Sequence, residues 1–590
     1  MKIRYIICYF LFCLIIGASA QSPYMIRGDQ AYHTYDRMEI LQKADTTVVN
    51  GINNYNRKQL IIFLSHLSKS KYLSKSDEYD IAHIIGDNSE FVDNDNNMTG
   101  LSSMIEHSNI NENDKYIDIK TLRAENQKPL LKYFYKSKAN FIELKTPSFT
   151  AFINPVIQLT YLNENDNSRT VFQNTRGIDI RAYIDNKVYI FTQLLENQRS
   201  YLSYTDARIQ KFGTLPGQGF WKNYESSVIK SLKGYDFFNA RAYVGFNPVK
   251  SINIEFGHGN HFIGNGVRSL LLSDYSHNYL YLKFNTRIWK FQYQNLFAEL
   301  APTTTLLNKD DKLLPKKYMA NHYLAFKPNS KFEVGLFETV IFARENHFEF
   351  QYLNPVILYR AVEHFLDSPD NVILGLNTKW NPIKGLSLYG QFIMDEFKIS
   401  EVKKHSGWWG NKFGGQLGFK YINALGVDHL DFQAEINSVR PYTYAHRDTL
   451  TSLPSYSVAN YSHSNQPLAH PLGANFNELI FIIRYKPQSR IYIQSKVLLT
   501  KYGEDRPGEN WGGNILLPVE TRELDYGNVI GQGLLTKVAA FNLDMTYELF
   551  QNYFIDVQAM WRQTRSDVTK NQHYLGGGIR VNISNIIYDY

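Results

Sequence analysis

The sequence predicts an all-β chain, a transmembrane antiparallel β-barrel of about 18 strands with a small N-terminal α-helical periplasmic region. Three observations lead there. A short apolar leader opens the chain. No later apolar run reaches the roughly 18 residues of a membrane helix. From Phe149 onward a hydrophobic period of two is punctuated by alternating short and long connections.

Residues 1–20 read as a secretory signal. Lys2 and Arg4 give the charged start, residues 5–16 the apolar core, and Ala18-Ser19-Ala20 a small-residue cleavage site before Gln21. The core of about 12 residues is shorter than the roughly 20 a spanning helix needs. Both cysteines, Cys8 and Cys13, fall inside this leader, so no disulfide or thiol chemistry is expected from residue 21 on. Leu11-Phe12 ahead of Cys13 is not a lipoprotein cleavage context. Losing Lys2 and Arg4 takes the net charge from +7 to +5, which excludes the strongly basic balance of a nucleic-acid binder.

Residues 21–140 differ from the rest and are expected to form the helical periplasmic region, in the periplasm or beneath the lumen. Residues 57–67 have helical character. A second helix is expected over residues 76–85, with Ser76 as cap and Gly86 as stop. Residues 93–97 form a polar loop.

Residues 141–590 are expected to form the barrel. Leu430, Phe432, Ala434 and Ile436 alternate with Asp431, Gln433, Glu435 and Asn437. Ile178, Ile180, Ala182 and Ile184 alternate with Asp179, Arg181, Tyr183 and Asp185, and Phe541 to Leu549 repeats the pattern. A soluble sandwich alternates too, and connection length separates the readings. Tight turns fall at residues 185–187 and at Asn247-Pro248, Lys327-Pro328, Asn381-Pro382 and Lys486-Pro487. Long connections fall at 197–234, 261–277, 301–318, 345–370, 398–411, 438–474 and 501–535. Short turns at one rim and long loops at the other are the asymmetry of a membrane barrel, which must close because an open edge in hydrocarbon leaves backbone groups unpaired. An even strand count places both barrel ends at the periplasmic side. The segment 345–370, with its apolar run at 355–359, is expected to fold inward and block the lumen.

The run from Phe256 to Asp274, FGHGNHFIGNGVRSLLLSD, resembles the Wzi capsule-assembly family of Bacteroidetes type, which includes RemB-like gliding-motility proteins. Further resemblances are Tyr352-Leu353-Asn354-Pro355, Tyr389-Gly390-Gln391 with Asp395-Glu396-Phe397, Arg440-Pro441-Tyr442-Thr443-Tyr444, residues 467–475, Tyr502-Gly503-Glu504-Asp505 and residues 32–37. The resemblance implies an 18-stranded barrel with a helical periplasmic part and a lectin-like hold on capsular polysaccharide. For the RemB-like branch it implies a role in gliding.

Candidate chemistry is weighed residue by residue. His258 and His261 form an HxxH pair without the helical HExxH pattern or an evident third ligand, so no metal is expected. Gly257, Gly259, Gly264 and Gly266 lack the Gly-Lys-Ser/Thr ending of a phosphate loop and suit close backbone approach instead. Ser462-His463 has no G-x-S-x-G elbow. The inward carboxylates Asp395, Glu396, Glu435 and Glu478 could pair as in a glycosidase, but a polar lumen also makes ordinary ion pairs, here with Arg268, Arg440, Arg484 or Arg562. No enzyme and no cofactor is expected.

The ligand candidates are aromatic and basic: Trp408, Trp409 and Trp511 in outer loops, and Arg440 beside Tyr442 and Tyr444. Flat rings suit sugar CH faces, and arginine suits acidic sugar carboxylates. An aromatic girdle at the membrane interface is the alternative use of such rings. The expected partners are surface polysaccharide and outer-membrane lipid. A porin-like channel for small solutes or oligosaccharides is the alternative function.

Overall fold

The computed structural model describes residues 22–42, 48–53, 55–67, 73–91, 135, 139–165, 170–185, 187–303, 316–344, 349–356, 358–366, 370–447, 458–585 and 589. The expected leader, residues 1–20, and the expected polar loop at 93–97 lie outside them.

Eighteen antiparallel strands form the wall. They are β1 (Phe149–Glu164), β2 (Thr170–Ile184), β3 (Val188–Arg199), β4 (Lys233–Val249), β5 (Ile252–Gly259) and β6 (Tyr279–Ile288). Next come β7 (Phe291–Leu300), β8 (Lys317–Asn329), β9 (Phe332–Phe342), β10 (Asn371–Ile383), β11 (Leu386–Glu396) and β12 (Lys412–Tyr421). The last are β13 (Leu430–Val439), β14 (Phe476–Gln488), β15 (Ile491–Glu504), β16 (Leu534–Phe550), β17 (Tyr553–Arg565) and β18 (Thr569–Val581). Each pairs with its sequence neighbours, and β1 pairs with β18 from Ile157↔Val581 to Glu164↔Tyr574, which closes the cylinder.

The wall is turned inside out relative to a soluble protein. On β13, Asp431, Gln433, Glu435 and Asn437 are buried, while Ile436 is exposed. Leu336, Leu417 and Leu575 are likewise exposed, and Glu255, Lys283 and Glu333 are buried. Apolar residues outside and polar residues inside is the pattern that lipid requires.

The proline turns share one construction. Pro248, Pro328, Pro382 and Pro487 each sit where the ladder register slips, next to a short turn. Proline has no N–H to give the ladder, and a bulge is where none is missed. The preceding residue is buried in each case, and two of these, Lys327 and Lys486, reach the helices inside the barrel.

Those helices are α1 (Gln30–Ile40), α2 (Arg57–Leu67) and α3 (Lys75–Asp87). The sequence expectation for α2 holds. That for α3 needs correction: the cap is Ser74, whose hydroxyl accepts the Asp77 N–H while the Asp77 carboxylate accepts the Ser74 N–H. This reciprocal box satisfies two end donors and leaves Ser76 inside the first turn. Gly86 does not stop the helix, because the wall residue Gln551 holds its last turn by donating to the His83 carbonyl and Asp87. Helix α1, absent from the sequence expectation, starts at Asp29, whose carboxylate accepts the Ala31 N–H.

The three helices sit within the ring of strands, not below it. Arg37 pairs with Asp431 at 2.6 Å, Glu39 with Lys379 at 2.6 Å, and His83 with Glu548 at 2.7 Å. Asp36 reaches Lys420, and Glu333 accepts the Asn50 and Gly51 N–H groups. Hydrophobic residues of the helices, including Tyr35, Met38, Leu64, Ile81 and Ile84, pack on one another.

The outer half of the lumen is filled by residues 260–278. Ile263, Leu270, Leu271 and Leu272 are buried in one core with Tyr323, Phe337, Ile393, Tyr444 and Tyr461. The Gly264 N–H donates to the Gly51 carbonyl at 2.7 Å, so this segment touches the helical plug directly. The Val267 and Arg268 N–H groups donate to Glu435, and the Arg268 side chain meets Glu478 and Asp589. Gly264 has φ near +147°, which favours glycine, and a side chain there would crowd Gln391, while one at Gly266 would crowd Glu435.

The segment 345–370 does not block the lumen. Residues 349–356 and 358–366, which include helix α4 (Tyr359–Leu366), lie on the outward side of the wall, with the Tyr359 ring 4.0 Å from that of His322. His322 pairs with Glu338 on the same face as exposed Leu324 and Leu336. Polar outward residues recruit this loop, which the apolar run alone could not reveal.

Candidate functional site

Three outer connections interlock at the mouth through residues 397–411, through 440–447 with 458–475, and through 505–533. The Trp409 N–H donates to the Asp525 carbonyl at 3.0 Å, and the Tyr442 N–H to the Gly512 carbonyl at 3.0 Å. The Gly527 and Asn528 N–H groups donate to Ser406 and Gly407. These backbone ties bring together residues 70 to 121 positions apart.

Trp408 and Trp409 are partly exposed, with ring centroids 5.9 Å apart and planes tilted by 56°. The Arg522 guanidinium lies 4.3 Å from the Trp409 centroid and the Lys412 ammonium 5.2 Å from it. Lys398 lies 5.4 Å from the Trp408 centroid. Most of these cations also have an acid: Arg522 has Asp525, Lys412 has Glu396, and Lys398 has Glu401. Arg440 differs. It donates to the carbonyls of Asn411 and Trp408, and among the described residues no carboxylate pairs with it. Nearby His446 is kept neutral: burial, then Lys412 and Arg447, hold it down to about 3.

Tyr442 and Tyr444 do not join this surface. Both are fully buried: the Tyr442 hydroxyl donates to the Asn510 carbonyl and the Tyr444 hydroxyl to the Leu270 carbonyl. Both adopt positive φ, 66° and 73°, so their backbone turns the chain down into the mouth. They therefore brace the mouth from within, and neither ring is part of its exposed surface. Trp511 is partly buried, its indole N–H donating to Glu509 at 2.7 Å.

These features sit on a known architecture. The chain is similar in fold to Wzi. That solved structure is of an outer membrane protein involved in group 1 capsule assembly in Escherichia coli, a carbohydrate-binding β-barrel, with a TM-score of 0.54 and 13% identity over 96% of this chain and 100% of that one. Pseudomonas aeruginosa OprD aligns at a TM-score of 0.39 and 8% identity, covering 73% of this chain and 94% of that one. Acinetobacter baumannii OccAB2 aligns at 0.39 and 9%, covering 73% and 97%. No protein-family model and no curated protein matches the sequence.

On this Wzi-like barrel the remaining candidate chemistry is structural. His258 follows the register of outward-facing Phe256, and its Nδ1 faces the Ala240 carbonyl. His261 is buried against Tyr279 and Tyr281 and held neutral by burial, then by Lys283 and Arg241. The pair shares no ligand site. The ring nitrogens of His463 face the Ala301 N–H and the Asn278 carbonyl, which leaves neither for Ser462. Asp77, Asp428 and His429 come close enough to hold an ion, but the Arg37 guanidinium already reaches both acids. Of the inward carboxylates, Glu435 and Glu478 anchor the 260–278 segment, Asp395 accepts the Tyr444 N–H, and Glu396 pairs with Lys412. Of the expected arginine partners only Arg268 meets an acid among them; Arg484 bonds Gln433 and Gln494, and Arg562 lies over Tyr204.

One further space opens inside the wall. A cleft of about 710 Å³ lies against β1, β16 and β17, lined by Gln158, Thr160, Asn542, Asp544 and Gln558.

Sequence reasoning missed Arg522, Lys398 and Lys412. Arg522 meets Trp409 only after the loops have interlocked, whereas Lys398 and Lys412 flank the tryptophans in the same connection and their closeness in sequence was a signal that could have found them.

Proposed function

We propose that this chain is a non-enzymatic outer-membrane barrel that holds surface, capsular polysaccharide at its outer mouth. The observation that carries the reading is the combination of a filled lumen with a tilted tryptophan pair offered beside Arg440. Rings of this kind stack on sugar CH faces, and an arginine without an acid partner can take a uronic or other acidic carboxylate. Trp408, Trp409 and Arg440 form the first contact surface, and Trp511 extends it. Likeness in fold to a carbohydrate-binding barrel supports the reading. The gliding role expected of a RemB-like member is the same surface used against a substratum.

Replacing Trp408 and Trp409 together by alanine tests this on cells. Retained capsule should fall while heat-modifiable barrel migration stays normal; unchanged retention would remove the named loop from the account. Deleting the coding sequence, then staining capsule and scoring spreading on the same cells, separates attachment from motility. The cleft beside Asn542 favours the porin reading as the second one, and steady conductance in planar bilayers is its signature.

A further inference from the structure

Strands β7, β8 and β9 carry a fault in an otherwise apolar outer surface. On β7 the outward register runs Phe291, Tyr293, Asn295, Phe297, Glu299. Trp289, Phe291 and Phe326 cluster at the lower rim, and Glu299 pairs with Lys316 at the upper one. Asn295 lies midway. Four tilted residues from either marker is about 10 Å, within an apolar band of about 25 Å. His322 on β8 and Glu338 on β9 face outward at a similar depth. Bare polar groups there would be costly.

They are not bare. The Tyr293 hydroxyl and Asn295 amide donate to the Pro355 carbonyl at 2.6 and 3.2 Å. The Arg360 N–H donates to Glu338 at 3.2 Å, and Tyr359 covers His322. Tyr352, Tyr359 and Val362 pack on Ala320, Val340, Phe342 and Val372 of the same outer face. The loop's other side is apolar and uncovered: Val356 is 83% exposed and Leu358 67%, with Phe350 and Phe365 similarly bare. Arg360 is ion-paired with Glu363 at 2.6 Å, and its long stem lets the charge reach upward.

The geometry points to residues 349–356 and 358–366 being a lipid-immersed strap, whose underside covers the polar wall and whose outer side meets the acyl chains of the bilayer. Continuity with the lipid-facing wall names lipid as the occupant; lipid contact leaves the mouth free and is independent of what the mouth binds.

Single cysteines at Val356 and Leu358 test this, since Cys8 and Cys13, both in the leader, are the sequence's only thiols. Leu336→Cys marks the bare wall and Val529→Cys the wet outer loops, both exposed positions. In purified protein in phospholipid vesicles, a charged maleimide should label Val356→Cys and Leu358→Cys about tenfold slower than Val529→Cys, since lipid excludes charge. A bimane on Leu358→Cys should be quenched by brominated acyl chains as strongly as one on Leu336→Cys. Fast labelling, or protection in cells that vanishes in vesicles and reveals a protein cover, overturns the strap. Heat-modifiable migration of each variant confirms that the barrel has formed.

Discussion

Arg37 stands between three acids, Asp77, Asp428 and Asp431, with its side chain nearly sealed from solvent. Removing one partner of such a set leaves an uncompensated buried charge, so Arg37→Ala should loosen the plug by about 3–5 kcal/mol. Hydrogen exchange of α1 and α3 amides reads that loss; unchanged protection would show the ion pairs to be incidental. Neighbouring His83 gives the pH dependence. Burial lowers an imidazolium, but Asp87 and Glu548 outweigh it and raise His83 to about 10 from 6.5. A raised base stabilises fully below the unfolded value, near pH 6.5, and the contribution fades as pH climbs through about 10. Asp36 runs the other way: against the cost of burial, Lys420 and Lys379 hold its carboxyl well below the usual range. Its contribution is full above the unfolded 3.8 and fades as pH falls through the lower folded value. Plug protection should therefore weaken toward pH 10 and again in strong acid, and His83→Gln should flatten the alkaline limb alone. The pairings of Arg37 with Asp431, His83 with Glu548 and Asp36 with Lys379 and Lys420 were not legible beforehand, because each joins a helix residue to a wall residue hundreds of positions away.

At the scale of elements, strands were readable and loop destinations were not. The alternation of Leu430 to Asn437 states its own inside and outside, since a period of two has only two faces. The X-Pro turns were readable because proline tolerates so few places in a sheet. By contrast, 260–278 and 349–366 are both glycine- or aromatic-bearing loops of apolar character, and nothing local tells which enters the lumen. The difference lies in the wall: Gln391, Glu435 and Glu478 receive the first from inside, and Asn295, His322 and Glu338 receive the second from outside. The Ser74 cap went unread because Ser76 offers the same chemistry two residues later. Gly264→Ala should cut the yield of folded barrel sharply, as the new methyl meets Gln391 where the segment touches the plug; a normal yield would mean that the segment docks loosely.

For the whole molecule, the question is how far the lumen is filled. Helices α1 to α3 occupy the inner side of the lumen and residues 260–278 the outer, and Gly264 bonded to Gly51 joins the two. Trp408, Trp409 and Arg440 stay partly open to solvent at the mouth. The strand number could be read from the alternation of short and long connections and closure from the need to pair every backbone group, while the packing of the interior could not, since a barrel of this size suits a pore equally well. Single-channel recording of the purified full-length barrel in a planar bilayer tests the account most directly. A filled barrel predicts a silent membrane, and conductance appearing only when residues 22–91 are deleted. Large, steady conductance from the intact protein would contradict it.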